Sequence, residues 1–131
     1  VKREDIKRVS ERYPHLWSTH LALQPSGWSG VIEKLLGALD LLNEGDSTEQ
    51  WVSVLMHRYA SGQAKVFVSP VISRGRWTPA QTYHVIAVVD GINDDLAMTC
   101  EVCGSMSGIL QKSHLDHGRN RILCEEHRNV D

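Results

Sequence analysis

The chain has three cysteines, Cys100, Cys103 and Cys124, all in the stretch CEVCGSMSGILQKSHLDHGRNRILCEEH of its last third. Cys100 and Cys103 form a C-x-x-C pair, and Cys124 with His127 forms a C-x-x-H pair. The first spacing lets two thiolates and the adjacent backbone N–H groups wrap one ion, and Gly104 suits the tight turn that follows. Three sulfurs and one imidazole nitrogen are the closed tetrahedral set of a structural Zn2+ site, and their softness disfavours calcium and magnesium. Four protein ligands leave no coordination position for water, so the metal is expected to hold the chain together rather than do chemistry. The odd cysteine count argues against a disulfide framework. A redox C-x-x-C normally opens a helix after a strand, whereas this pair follows a predicted helix.

The elements that must position these ligands are legible from periodicity. REDIKRVSERY places Ile6, Val9 and Tyr13 at helical spacing, and Pro14 stops that helix. PSGWSGVIEKLLGALDLLNEG is the clearest helix, with Trp28, Val31, Ile32, Leu35, Leu36, Leu39 and Leu42 on one face. Ser26 or Ser29 is expected to cap it, and Asn43 with Gly45 to end it. Gly37 inside it costs about 1 kcal/mol against alanine, which points to close packing there. From Trp51 the period changes: Val52, Val54 and Met56 alternate with Ser53, Leu55 and His57, and KVFVSPVI follows a turn at ASGQ. This predicts a β-hairpin in which Pro70 marks an edge or an end, with a helical first arm as the alternative because STEQ reads as a capping box. Thr78 as N-cap with Pro79 at the first helical position opens a third long helix, striped by Val85, Val88, Val89, Ile92 and Leu96. Asp94 and Asp95 stand late in it, where acids oppose the helix dipole, and the pattern assigns them no role.

The expected fold class is therefore α+β: amphipathic helices packed on a β-hairpin, with a C-terminal zinc-knuckle lobe. Residues 1–99 form the helical and hairpin core, and residues 100–131 the metal-binding lobe of the same domain. ILQ and RIL are short strands in that lobe, which has too little core to stand without its metal.

Composition limits the function. The 131 residues carry a net charge of −2 and 41% hydrophobic residues, ordinary for a soluble domain. No apolar run reaches the roughly 20 residues of a membrane span, and VKREDIKRVSERY has no signal-peptide character; the expected setting is cytoplasmic. A basic surplus is the usual mark of phosphate-backbone binding. The first dozen residues are basic, with Lys2, Arg3, Lys7, Arg8 and Arg12 against Glu4, Asp5 and Glu11, but the cysteine-bearing segment is not. Nucleic acid is possible but not favoured as a partner. A protein partner is favoured, with Arg74, Arg76 and Trp77 as the candidate contact residues, because a loop with two arginines and a tryptophan has the composition of a binding hot spot. The remaining histidines, His15, His20, His57 and His84, show no metal-ligand spacing.

Two resemblances extend this reading. SHLDHGRNRILCEEHRN resembles the phage junction-resolving branch of the HNH (His-Me finger) nucleases, in which an H-x-D-H stretch lies between zinc-binding pairs. That resemblance implies a magnesium ion on Asp116, His117 as general base and Asn129 as the closing asparagine of the motif. Asp116 alone is a poor magnesium anchor, however, and a non-enzymatic protein is the preferred expectation. Across about residues 27–127, the sequence GWSGVIEKLLGALDLL, then a strand-turn-strand, then VIAVVDGINDDLAMTCEVCG and RILCEEH, is similar to a family of small bacterial and phage-borne proteins of unknown function. In these a Gly-Trp opens an amphipathic helix and the C-terminus carries CExCG followed by LCxxH. The resemblance implies a small protein of a mobile element that inhibits or modulates a bacterial host or defence complex.

Overall fold

The computed structural model describes residues 1–43, 50–71, 76–112 and 120–128. The fold is α+β. Helix α1 (Arg3–Arg12) is followed by a single turn, α2 (Thr19–Ala22), and then by α3 (Ser29–Leu41), which is entered through a 3₁₀ turn at Ser26–Trp28. Strands β1 (Val52–Arg58) and β2 (Ala64–Pro70) form an antiparallel hairpin, and α4 (Pro79–Leu96) packs on both β2 and α3. Strands β3 (Ile109–Gln111) and β4 (Arg121–Leu123) form a second, smaller antiparallel pair at the C-terminal end.

Apolar periodicity becomes burial in each element. Trp28, Val31, Ile32, Leu35, Leu36 and Leu39 of the α3 region are all buried, and they meet Val52, Val54, Met56, Ala64 and Val66 of the hairpin and Val85, Ile92 and Leu96 of α4. Each such aliphatic side chain contributes roughly 1.5–3 kcal/mol through its removal from water. Val9 and Tyr13 bring α1 onto the same core. A Cβ at Gly37 would stand 3.0 Å from the Tyr13 hydroxyl, so this glycine marks the close approach of α1 to α3.

The start of α3 differs from expectation. Neither Ser26 nor Ser29 caps it: the Ser29 hydroxyl donates to the Ser26 carbonyl at 2.8 Å, and the chain enters the helix as a 3₁₀ turn after Pro25. The helix closes at Leu41 with Leu42 as C-cap, and Gly45 lies outside the described residues. At α4, by contrast, Thr78 and Gln81 form a reciprocal capping box with Pro79 in the first turn. That anchors the helix that leads to Cys100.

Each edge of the hairpin meets a neighbouring element at its middle. Val66 N–H donates to the Asn93 side-chain oxygen of α4 at 2.7 Å. On the other edge, His20 Nε2 lies 3.0 Å from both the N–H and the carbonyl of Met56. Met56 and Val66 face each other in the register, so their outward-pointing backbone groups are the ones satisfied by neighbouring elements. The turn between the strands needs Gly62, which has φ +94° and abuts Asn120 of the C-terminal lobe.

Candidate metal centre

Two turns present the four ligands. The first follows α4, where the Thr99 hydroxyl donates to the Asp95 carbonyl at 2.6 Å and turns the chain away from the helix axis. Gly104 N–H then donates to the Cys100 carbonyl at 3.0 Å, and Cys100 N–H to the Ser105 carbonyl at 2.8 Å. Gly104 has φ +79°, a conformation that favours glycine. The second turn leaves β4, and His127 N–H donates to the Cys124 carbonyl at 3.1 Å.

These turns bring Cys100, Cys103, Cys124 and His127 together, with all four ligand atoms within 4.8 Å of one another. Cys103 Sγ and Cys124 Sγ are 3.6 Å apart, Cys100 Sγ and His127 Nδ1 3.7 Å, and Cys124 Sγ and His127 Nδ1 3.1 Å. Sulfurs about 2.3 Å from a tetrahedral ion stand about 3.8 Å from each other, and a disulfide would require about 2.05 Å. The spacing therefore fits a metal ion, and the cysteines are free thiols. Cys100 and Cys124 are buried, whereas Cys103 is exposed.

The electrostatics favour a thiolate at the buried end. Burial alone raises the Cys100 pKa, but the backbone N–H groups of Cys103, Cys124 and Val102, with the Cys124 thiol, outweigh it and bring the pKa down from 9.0 to about 6. At Cys103 the Ser105 N–H pulls the pKa down, yet desolvation and the neighbouring sulfurs of Cys124 and Cys100 prevail and push it up. A cation among the sulfurs would relieve that mutual repulsion.

Glu101, between the first two cysteines, fixes the site to the rest of the fold. Glu101 is buried, and its carboxylate accepts from Arg58 Nη1 at 3.0 Å and Nη2 at 2.6 Å, and from Ile122 N–H at 2.6 Å. Glu101 N–H donates in turn to the Ile122 carbonyl at 2.9 Å, so the first turn pairs with the outer edge of β4. The Arg58 guanidinium lies over the Trp28 ring, 4.9 Å from its centroid, and the Trp28 indole N–H donates to the Thr99 carbonyl at 3.2 Å. Gly27 N–H donates to the Glu101 carbonyl at 2.8 Å, and a Cβ on Gly27 would lie 2.1 Å from the Cys100 carbonyl oxygen. The Gly-Trp pair thus seats the ligand turn directly on the start of α3.

The four ligands read from spacing are the four that converge. Glu101 and Arg58 were not singled out, although a charged residue between two metal-ligand cysteines was a visible signal. Arg76 is exposed. Trp77 is half-buried at the rim of the main core, edge-on to Trp51 with centroids 6.4 Å apart. Burial against Trp51 removes more apolar area from water than an outward rotamer would. Arg74, Asp116, His117 and Asn129 lie outside the described residues. Asp95, unassigned in the sequence, pairs with Lys34 of α3 at 2.8 Å. No helix among the described residues is long and apolar enough to cross a membrane. Comparison with protein-family models, with curated proteins and with solved structures found no match.

Proposed function

We propose that the chain is a zinc-stabilised binding module that works through contact with a protein partner. The convergence of three thiols and one imidazole carries the reading: the set is soft, closed and supplied entirely by the chain. Bound there, zinc would supply folding free energy to a lobe whose own apolar cluster, among the described residues, is Cys100, Leu123 and Cys124. Four protein ligands leave the metal no open position, which gives it no part in activating water or substrate. The partner would be a bacterial host or defence complex and the protein a product of a phage or related element, a setting that rests on the Gly-Trp, CExCG and LCxxH pattern. Arg76, exposed beside the half-buried Trp77, is the candidate contact residue on this surface.

Capture from a bacterial host lysate followed by mass spectrometry identifies the partner, and Arg76→Ala should weaken that capture at unchanged thermal midpoint. Undiminished capture by this variant would remove the Arg76 surface from the reading. On the same reading the protein does not cut DNA. Incubation with plasmid, single-stranded and branched DNA in magnesium or manganese should leave all three intact. Cleavage that disappears in an Asp116→Ala, His117→Ala double variant would replace the binding module with a nuclease.

A further inference from the structure

A recess lies beside the ion pair that fastens the ligand turn. It has a volume of about 420 Å³ and is bounded by the segment from Leu23 to Ser26, the end of β1, the turn at Glu101 and Val102, and Arg121 of β4. That volume is within the range of about 300–1,000 Å³ typical of ligand pockets.

The charges in this recess do not balance. Its lining carries two guanidinium groups, Arg58 and Arg121, and one carboxylate, Glu101. Arg58 takes both carboxylate oxygens, at 2.6 and 3.0 Å, and the Ile122 N–H adds a third donor at 2.6 Å. Arg121 stands further off, with its Nε 3.9 Å from Glu101 Oε1, beyond hydrogen-bond length. Among the described residues the Arg121 side chain has no other ionic or hydrogen-bonded partner, and it is 37% exposed. Its planar fork of donors is left for an acceptor from outside. Beside it Leu23 and Val102 are 82% and 39% exposed. A lone exposed leucine is ordinary. Here two apolar side chains and a spare guanidinium share one recess.

We infer that this recess takes an acidic segment of the partner protein, in which a Glu or Asp side chain stands next to an apolar one. The carboxylate accepts two parallel bonds from the Arg121 fork, the geometry in which guanidinium and carboxylate match. The neighbouring apolar side chain covers Leu23 and Val102. One surplus positive charge suits one carboxylate. A nucleic-acid backbone would bring successive phosphates, and the lining holds no further Lys or Arg to meet them. This inference deepens the binding-module reading and rests on it.

The test titrates four fluorescein-labelled heptapeptides with amidated C-termini into the full-length, zinc-loaded chain. The first has Leu-Glu-Leu at its centre between glycines and serines. In the others glutamine replaces the glutamate, phosphoserine replaces the glutamate, or serine replaces both leucines. Anisotropy reports affinity, and amide shifts in a ¹⁵N spectrum report position. The Leu-Glu-Leu peptide should bind at least tenfold more tightly than the other three, with shifts concentrated at residues 23–26, 101–102 and 121. Arg121→Gln should abolish the preference for glutamate over glutamine, and Leu23→Ser should weaken binding severalfold, both at unchanged thermal midpoint. Equal binding of the glutamine peptide, or a preference that survives Arg121→Gln, would overturn the carboxylate site. Equal binding of the peptide without leucines would reduce the effect to charge attraction and also overturn it, and tighter binding of the phosphoserine peptide would replace it with a phosphate site. Failure of all four peptides to bind would reject the recess. A natural partner captured undiminished by Arg121→Gln, but lost with Arg76→Ala, would keep the binding module and reject this recess.

Discussion

Glu101 and Arg58 are 43 residues apart in sequence, and they form a two-bond ion pair at 2.6 and 3.0 Å. The Glu101 side chain is 1% exposed and that of Arg58 17%. The pair joins the turn carrying Cys100 and Cys103 to the end of β1, so the metal lobe is fastened to the hairpin by a buried charge as well as by packing.

Breaking that pair on one side should be costly. Glu101→Ala leaves the guanidinium over Trp28 without its counter-charge and Ile122 N–H without its acceptor. Removing one partner of a buried pair typically costs about 3–5 kcal/mol. Urea unfolding should show a loss in this range for Glu101→Ala, and a double variant with Arg58→Met should lose clearly less than the two single losses added together. Strict additivity would show that the two groups do not act as a pair.

Two glycine-to-alanine changes should have opposite signs. Alanine at Gly27 would place its Cβ 2.1 Å from the Cys100 carbonyl oxygen, backbone against backbone with nothing flexible to yield. A loss of about 2 kcal/mol or more is expected from such overpacking, together with weaker metal retention. At Gly91, within α4, a Cβ meets nothing within 4 Å, and alanine there should gain roughly 0.5–1 kcal/mol from helix propensity. Thermal unfolding of the two variants side by side checks both, and a stable Gly27→Ala protein would remove the close seat between α3 and the ligand turn.

Much of this arrangement was legible in the sequence, for identifiable reasons. Helical and alternating periods located α1, α3, α4 and the hairpin because each buries one face. Thr78 and Pro79 marked the start of α4 because capping chemistry is local. The Cys/His cluster was legible because both pairs carry a fixed spacing, and ILQ and RIL fell where β3 and β4 form. The Glu101–Arg58 pair was not, because it depends on a turn meeting the end of a strand distant in sequence. The start of α3 misled for a different reason: Ser26 and Ser29 have the right side chains, but the 3₁₀ entry after Pro25 leaves the Ser29 hydroxyl bonded within the turn. The half-burial of Trp77 depends on the shape of the core rim at Trp51, which no local pattern encodes.

Acid should strip the metal. Each ligand must lose its proton to bind, so protons compete directly with the ion. The Cys100 pKa is lowered to about 6. Its depressed value makes the thiolate's contribution complete above the ordinary thiol range and lost as pH falls through about 6. Cys103, shifted upward, is the thiol that recovers its proton more readily. Metal retained against a fixed chelator should therefore drop steeply on going from pH 7 to pH 5. A flat profile across that interval would contradict ligation by these thiols.

Cys103→Ser should loosen the C-terminal lobe more than the helical core. Cys103 is the exposed member of the cluster, so the substitution would remove a metal bond without opening a cavity in the main core. Hydrogen exchange should quicken at residues 100–112 and 120–128 and change little in the centre of α3, where Leu35, Leu36 and Leu39 are at most 1% exposed. Uniform acceleration across the chain would show that the metal site governs the whole fold.

The most direct measurement of the central claim is native mass spectrometry of the purified chain with elemental analysis of the same sample. One zinc per chain is predicted, lost on replacing Cys124 by serine and absent after unfolding in acid. A metal-free protein carrying a Cys103–Cys124 disulfide, or a stoichiometry unaffected by Cys124→Ser, would contradict it.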